Sequence, residues 1–267
     1  MKLRGKTVIV TGASSGIGRE TARLFARAGS NLVLAARDKE RLHRLAEQLE
    51  GYGGRVLVVA TDVTERQAVE RLAAMTAEEL GRVDILVNNA GLGLHALLAE
   101  GSMENVRHLF EVNVFGAINC IQAVVPYMKR QRSGQIINVS SIAGKIAAPF
   151  EGAYAATKFA LTAISDALRL ELADYGIRVI AVYPGPIETE FTERALKEIE
   201  VPPRPGITRR RPAVRVAEAI VKAARRPQPE VYVTGLDRLA VGLKAVSPRF
   251  IDWALRRFYV RGWLNRR

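Results

Sequence analysis

Tyr154-Ala-Ala-Thr-Lys158, with Ser141 thirteen residues upstream, brings together side chains able to move a proton onto or off a carbonyl oxygen. Phe159, Leu161, Ile164, Leu168 and Leu172 recur at helical spacing, which predicts a helix over 153–174. On such a helix Tyr154 and Lys158 lie four apart on one face and share a pocket. A phenol ordinarily ionises near pH 10, so making it substantially phenolate near neutrality costs about 4 kcal/mol. One ammonium at about 4 Å, in an effective dielectric of about 20, supplies roughly that much. Ser141 would then hydrogen-bond the reacting oxygen. A Tyr and a Lys at this spacing also fit a packed ring beside a solvated charge, so the surrounding elements decide between the two.

The first of these elements is Thr7-Val8-Ile9-Val10, an apolar strand run that leads at once into Thr11-Gly12-Ala13-Ser14-Ser15-Gly16-Ile17-Gly18 and a helical pattern through Ala28. Strand, glycine-rich turn and helix in that order form a cradle for a pyrophosphate, with the glycines giving tight turns and the helix start giving amides. A purely structural turn is the alternative. Further strand runs follow at Asn31 to Ala36, Arg55 to Ala60, Val83 to Val87, Gln135 to Val139, Arg178 to Tyr183 and Glu230 to Val233, with helical patterns between them. Strand runs alternating with helical patterns in this way predict an α/β fold.

The glycine spacing, G-x3-G-x-G, resembles the TGxxxGxG pattern of the short-chain dehydrogenase/reductase family. Four more segments resemble that family in order: Asn88-Asn89-Ala90-Gly91, the stretch around Asn113, Ser141 with Tyr154-x-x-x-Lys158, and Pro184-Gly185-Pro186-Ile187-Glu188-Thr189. Together they span Lys6 to about Gly235, and the resemblance implies a Rossmann-type doubly wound parallel sheet of seven strands with helices on both faces. The resemblance implies a catalytic set of Asn113, Ser141, Tyr154 and Lys158, in which Asn113 helps hold a water linked to the lysine. It also implies a nicotinamide dinucleotide held by Gly12, Ser14, Ser15, Gly16, Ile17, Gly18, Asp62, Val63, Asn89, Ala90, Gly91, Tyr154, Lys158, Pro184, Gly185, Ile187 and Thr189. An Asn in a helix also fits bonding to nearby backbone. Asp62 equally fits a plain turn ahead of a Thr64-x-x-Gln67 capping box.

Cofactor preference is written at the end of the second strand, Ala36-Arg37-Asp38. Ala36 stands where the family usually places the acid that reads the ribose 2′-hydroxyl of NAD, and Arg37 is able to pair with a 2′-phosphate. NADP(H) is favoured, with NAD(H) as the alternative and Asp38 available as a helix cap or ribose ligand. The implied activity is interconversion of a carbonyl and a secondary alcohol, by NADP(H), on a mainly apolar small molecule of ketone, lipid, steroid-like or 3-oxoacyl type. Leu92, Leu94, Leu97, Leu98, Phe150 and Phe191 are the basis for the apolar choice. The alternative is a non-catalytic dinucleotide-binding sensor or scaffold, and against it stand all four retained catalytic side chains.

The chain has 267 residues, a single cysteine and a net charge of +13. A chain of this length and apolar content suits one domain. We divide it into a dinucleotide-binding catalytic domain, 1–235, with a substrate lid over 190–212, and a basic amphipathic extension, 236–267, packed on the same domain. The charge is concentrated late, since residues 190–267 hold 18 Lys and Arg against 8 Asp and Glu. In the extension Phe250, Ile251, Ala254, Leu255 and Phe258 fall at helical spacing among Arg249, Arg256, Arg257 and Arg261, with Trp263 beyond. Such a face packs on the core, mediates assembly, covers a hydrophobic entrance or touches an anionic membrane. No nucleic-acid motif accompanies the charge, and no metal-ligand spacing is present. No secretory signal or membrane anchor is read from the sequence, and Cys120 reads as a small buried hydrophobe. The expected setting is cytoplasmic, with peripheral membrane contact as a further option, and the expected assembly a homodimer or homotetramer.

Overall fold

The computed structural model describes residues 2–188, 190–200 and 211–260. Seven apolar runs form one parallel sheet: β1 Thr7–Thr11, β2 Asn31–Ala36, β3 Val56–Ala60, β4 Ile85–Asn88, β5 Gly134–Val139, β6 Ile177–Tyr183 and β7 Glu230–Tyr232. Their order across the sheet is β7-β6-β5-β4-β1-β2-β3, with every neighbour in parallel register. Parallel neighbours require crossovers, and those crossovers are helices that cover both faces. This is why the strands read as continuous apolar runs. Alternate residues serve opposite cores: Val8 and Val10 pack toward Phe25 and Ile220 on one side, while Ile9 packs toward Leu72, Ile121 and Val124 on the other.

The helices are α1 Gly16–Arg27, α2 Lys39–Leu49, α3 Arg66–Leu80, α4 Met103–Phe110, α5 Gly116–Gln131, α6 Gly152–Glu171, α7 Phe191–Arg194, α8 Ala213–Arg225, α9 Gly235–Val246 and α10 Pro248–Leu255. A π-helical turn, Glu111–Phe115, joins α4 to α5, so Met103–Gln131 runs as one 29-residue helix. By length and composition this helix could cross a bilayer, but Cys120, Ile121, Val124 and Met128 are buried in the core beside the sheet. The Cys120 thiol is buried and its pKa is pushed up to about 12, which leaves it an unreactive hydrophobe.

Below the sheet, Asp84 fastens the starts of β1 and β4. It accepts from Lys6 Nζ at 3.0 Å, from the Thr7 amide at 3.0 Å and from Arg82 Nη2 at 2.6 Å. Burial raises the pKa of this carboxyl, but the Arg82, Thr7 and Lys6 donors outweigh it and hold the group below its ordinary value. Three local details differ from the sequence expectation. The Tyr154 helix starts at Gly152 and ends at Glu171, where a 3-10 turn takes over. The expected Thr64-x-x-Gln67 capping box does not form, because the Thr64 amide and hydroxyl both bond Asp62 Oδ1, at 2.9 and 2.8 Å, and α3 begins only at Arg66. The extension holds two helices in place of one, broken at Ser247 where Pro248 opens α10. Thr189, 201–210, Arg261, Trp263 and the Phe258 side chain lie outside the described residues.

Candidate active site

The crevice lies at the carboxyl ends of β1, β4, β5 and β6, where chain order reverses between β1 and β4, as expected for an open α/β sheet. It is one continuous cleft of about 1350 Å³. Gly12 and Gly16 adopt φ of +64° and +51°, left-handed conformations that a side chain would strain. A Cβ on Gly12 would also lie 2.9 Å from Asn89 Nδ2, and one on Gly18 would lie 2.2 Å from the Gly12 carbonyl oxygen. Gly18 is therefore a packing glycine behind the loop and does not line the cleft, whereas Gly12, Ser14, Ser15, Gly16 and Ile17 do.

The Asn88–Gly91 segment braces that loop from the next strand. Asn89 Nδ2 donates to the Thr11 and Gly12 carbonyls, at 3.0 and 3.3 Å, while Thr11 Oγ1 accepts from the Asn89 and Ala90 amides at 3.0 Å each. Asn88 meanwhile donates to Asn138 Oδ1 at 3.0 Å, tying β4 to β5. The first turn of α1 carries no acidic residue and its N-cap, Ser15, makes no side-chain capping bond. Its amides remain available to an oxyanion, and no Cβ obstructs the approach at Gly12 or Gly16. These residues fit the phosphates of a dinucleotide.

At the adenosine end, Arg37 and Asp62 both line the cleft, with Arg37 Nη1 3.9 Å from Asp62 Oδ2 and the Arg37 side chain 74% exposed. Asp38 accepts from the Arg41 amide at 2.9 Å and so caps α2. Val63 completes this corner.

At the other end, Ser141, Tyr154 and Lys158 meet in the same cleft. Ser141 follows β5 and caps a 3-10 turn, Ile142–Gly144. Its Oγ accepts from the Ala143 amide at 3.1 Å and donates to the Pro184 carbonyl at 3.4 Å. Ser140 points the other way and donates to the Lys158 carbonyl at 3.1 Å, a structural role. Lys158 is 5% exposed, and its Nζ donates to the Val139 carbonyl at 3.1 Å and sits 5.7 Å from the Tyr154 ring centroid. Burial lowers its pKa to about 8. The ammonium is thus charged at neutrality and close to losing its proton.

Asn113 lies close behind Lys158, since a Cβ on Gly91 would be 3.3 Å from its Oδ1 and 3.7 Å from Lys158 Nζ. It is buried behind the cleft wall, where its side chain accepts from the Leu92 amide at 2.7 Å and donates to the Leu92 carbonyl at 2.9 Å and to Thr157 Oγ1 at 3.1 Å. Its carboxamide is occupied by backbone and Thr157. Pro184, Gly185 and Ile187 line the cleft, as do Asn89, Ala90 and Gly91.

The residues chosen for an apolar substrate wall divide. Leu92, Leu94 and Phe191 line the cleft, and the Phe191 ring lies 5.9 Å from that of Tyr154. Leu97, Leu98 and Phe150 instead surround a separate small hollow beside Ala153. In their place stand groups that sequence reasoning missed: His95, Glu151, Lys197 and Glu200. His95 Nδ1 lies 3.7 Å from Glu151 Oε1. Glu151 precedes Tyr154 by three residues, a helical spacing that could have marked it. His95 and Lys197 face each other through a two-residue parallel ladder, Leu94–His95 with Leu196–Lys197, which no local pattern announces. Among the described residues the lining ends at Glu200, and none of those in the extension lines the cleft. The Asp237 carboxylate lies beside it, where a Cβ on Gly185 would be 2.7 Å away.

Residues 6–200 match the short chain dehydrogenase family. The chain is 41% identical over 194 residues to the 3-oxoacyl-[acyl-carrier-protein] reductase FabG of Thermotoga maritima, an alignment covering 73% of this chain and 79% of that protein. It superposes on a short chain dehydrogenase/reductase from Burkholderia phymatum in complex with NAD, with a TM-score of 0.84 and 27% identity over 94% of this chain and 96% of that one. A short chain dehydrogenase from Burkholderia cenocepacia J2315 in complex with NADP gives a TM-score of 0.80 and 30% identity, covering 96% and 99% of the two chains. A cradle open to phosphates on one side and a Tyr, Lys and Ser gathered on the other agree with that likeness, and this chain belongs to the short chain dehydrogenase family as an NAD(P)-dependent dehydrogenase/reductase.

Proposed function

We propose that the protein interconverts a carbonyl and a secondary alcohol, with NADP(H) as the preferred cofactor and Tyr154 as general acid and base. The observation that carries this reading is the convergence of Ser141, Tyr154 and Lys158 in the cleft that the glycine loop also lines. The bound nicotinamide supplies or accepts the hydride. Ser141 Oγ, already polarised by the Ala143 amide, orients the substrate oxygen, and Tyr154 gives that oxygen its proton in the reductive direction and removes it in the other. Lys158 places a positive charge beneath the phenol and offers donors to the cofactor ribose. Asn113 acts at one remove, holding the Gly91–Leu92 wall and Thr157 in register. A dinucleotide sensor without turnover would need none of these reacting groups. The test is NADPH oxidation with a panel of ketones, aldehydes and 3-oxoacyl thioesters, with Tyr154→Phe as control. No turnover on any of them by the unaltered protein would overturn the reading.

The preference for NADP(H) rests on Ala36, which removes the usual acid at the strand end, and on Arg37, which offers a guanidinium there, while Asp38 lines the same corner and caps α2. Arg37→Ala is expected to weaken NADPH binding about 10-fold or more and NADH binding little. Titrating both cofactors checks this, and equal losses would remove the assignment. The substrate we infer has an apolar body against Leu92, Leu94 and Phe191, with a polar group able to reach His95 and Glu151. The 3-oxoacyl thioesters of the Thermotoga maritima relative are one class of this kind.

We further propose a homodimer or homotetramer, and an exposed face on the extension available to an anionic membrane. Leu236, Leu239, Val246, Phe250 and Trp253 are exposed along α9 and α10, among the exposed basic residues Arg249, Arg256 and Arg257. Liposomes containing phosphatidylserine should co-sediment the protein at low salt and release it at high salt. Failure to bind them would leave packing between copies as the use of this face.

A further inference from the structure

Residues 190–200 form a strap along one side of the cleft, which Phe191, Thr192, Arg194 and Lys197 line, and it is fastened by charge. Glu190, at its start, accepts from Arg41 Nη1 at 2.8 Å through Oε2, and the same oxygen accepts from Arg194 Nη2. Arg41 comes from α2, one turn beyond the Arg37-Asp38 corner where the adenosine ribose would be read, and Asp38 lies 3.2 Å from its Nε. Arg194 reaches further, donating to Ser15 Oγ at 3.2 Å in the glycine loop. Arg19, one turn along α1 from Ser15, has a buried Nε that makes no hydrogen bond among the described residues, although Glu20 Oε1 lies 3.6 Å away. The Arg41 hydrogen bond above all, with the charges of Arg194, Arg41 and Arg19, holds the Glu190 carboxyl below its ordinary pKa against the opposing effect of burial. One carboxylate oxygen is therefore shared by two guanidinium groups, Arg41 from α2 beside the adenosine corner and Arg194 from the strap itself, which also reaches the glycine loop, with an unsatisfied arginine donor close by.

Two guanidiniums converging on one oxygen is an arrangement suited to a phosphate, which carries more charge and more acceptor oxygens than a carboxylate. We propose that Glu190 is an internal stand-in for a phosphate group of the dinucleotide, competing with it for Arg41 and Arg194 and so setting cofactor affinity. This rests on the nicotinamide-dinucleotide reading of the site. When a cofactor phosphate takes over the two arginines, Glu190 releases them, and the strap that carries Phe191 next to Tyr154 is held by the cofactor in place of its own side chain.

Two phosphates could be the competitor: the 2′-phosphate of NADP(H), or the pyrophosphate common to both cofactors. Calorimetric titration of the full-length protein and of Glu190→Gln with NADPH, NADH, 2′,5′-ADP and 5′-ADP separates them. Glu190→Gln removes the competing charge and keeps the shape, so binding should tighten about 3- to 10-fold. A gain confined to NADPH and 2′,5′-ADP assigns the site to the 2′-phosphate, and a gain shared by NADH and 5′-ADP assigns it to the pyrophosphate. In an Arg41→Gln, Arg194→Gln background the gain should vanish, because no guanidinium is left to liberate. A merely structural strap predicts the opposite, unchanged or weaker binding in Glu190→Gln for all four probes, and that result would overturn the proposal while leaving the cofactor reading intact. If the unaltered protein bound none of the four, the cofactor reading itself would fail.

Discussion

Tyr154→Phe is expected to lower kcat about 10²- to 10⁴-fold, the range over which a positioned proton donor acts. The substitution removes one hydroxyl and keeps the ring, whose neighbour Phe191 lies 5.9 Å away across the cleft. The strap and the α6 helix should therefore stay in place, and NADPH should bind within about 2-fold of its original affinity, since the phosphate contacts lie at the far end of the cleft. Single-turnover kinetics with a substrate found in the carbonyl panel, read beside a cofactor titration, checks both halves. Turnover at the original rate would remove Tyr154 from the proton transfer. A matching loss of cofactor affinity would show that the ring, and not its hydroxyl, is what the site needs.

Lys158→Met is expected to abolish most turnover and at the same time to stabilise the cofactor-free protein. Lys158 is 5% exposed and burial lowers its pKa to about 8. Relative to its ordinary value near 10.5, holding the ammonium in the folded state costs on the order of 3 kcal/mol. Losing the bond to the Val139 carbonyl returns about 1 kcal/mol of that, so a net gain of about 2 kcal/mol is expected. The pH dependence follows from the direction of the shift. Below pH 8 the lysine is charged in both the folded and unfolded protein, and its desolvation cost is fully present. As pH rises from about 8 toward 10.5 the folded state sheds its proton first, so the cost shrinks and the advantage of the methionine variant fades. Denaturation midpoints at pH 7 and at about pH 10 should therefore converge for the two proteins. The same ionisation gives kcat/KM of the unaltered enzyme a falling limb near pH 8, because the phenol loses its cationic neighbour. A midpoint lowered by Lys158→Met at pH 7 would sink the desolvation argument.

Much of the fold was legible because its strands are buried on both faces. Runs such as Thr7 to Val10 and Arg178 to Tyr183 cannot be mistaken for half-exposed strands, and glycine or turn residues close each of them. Strand order and the crevice at the switch point follow from the alternation of strand and helix. The Tyr154, Lys158 and Ser141 group was legible because one helical turn and one strand end place it. Where sequence reasoning failed, a competing partner was the cause, in most cases one distant along the chain. Thr64 looked like a cap, but Asp62 two residues earlier captures both its donors. Phe150 and Leu98 looked like substrate wall, yet they line a neighbouring hollow with Leu94 and Gly101. His95 and Glu151 are separated by more than fifty positions, and Glu190 meets Arg41 across 149 residues. No periodicity carries that information.

The side chain of Asn113 meets both the N–H and the C=O of Leu92, as a facing peptide group in a sheet would. The segment after β4 thus continues its ladder against a side-chain amide borrowed from a helix, with no eighth strand alongside. One wall of the cleft thereby inherits the rigidity of the core helix through uncharged bonds. The opposite wall hangs on exposed ion pairs at Glu190. Ionic strength acts on the second and leaves the first untouched, so the molecule meets its substrate with one jaw fixed and the other tuned by the salt around it.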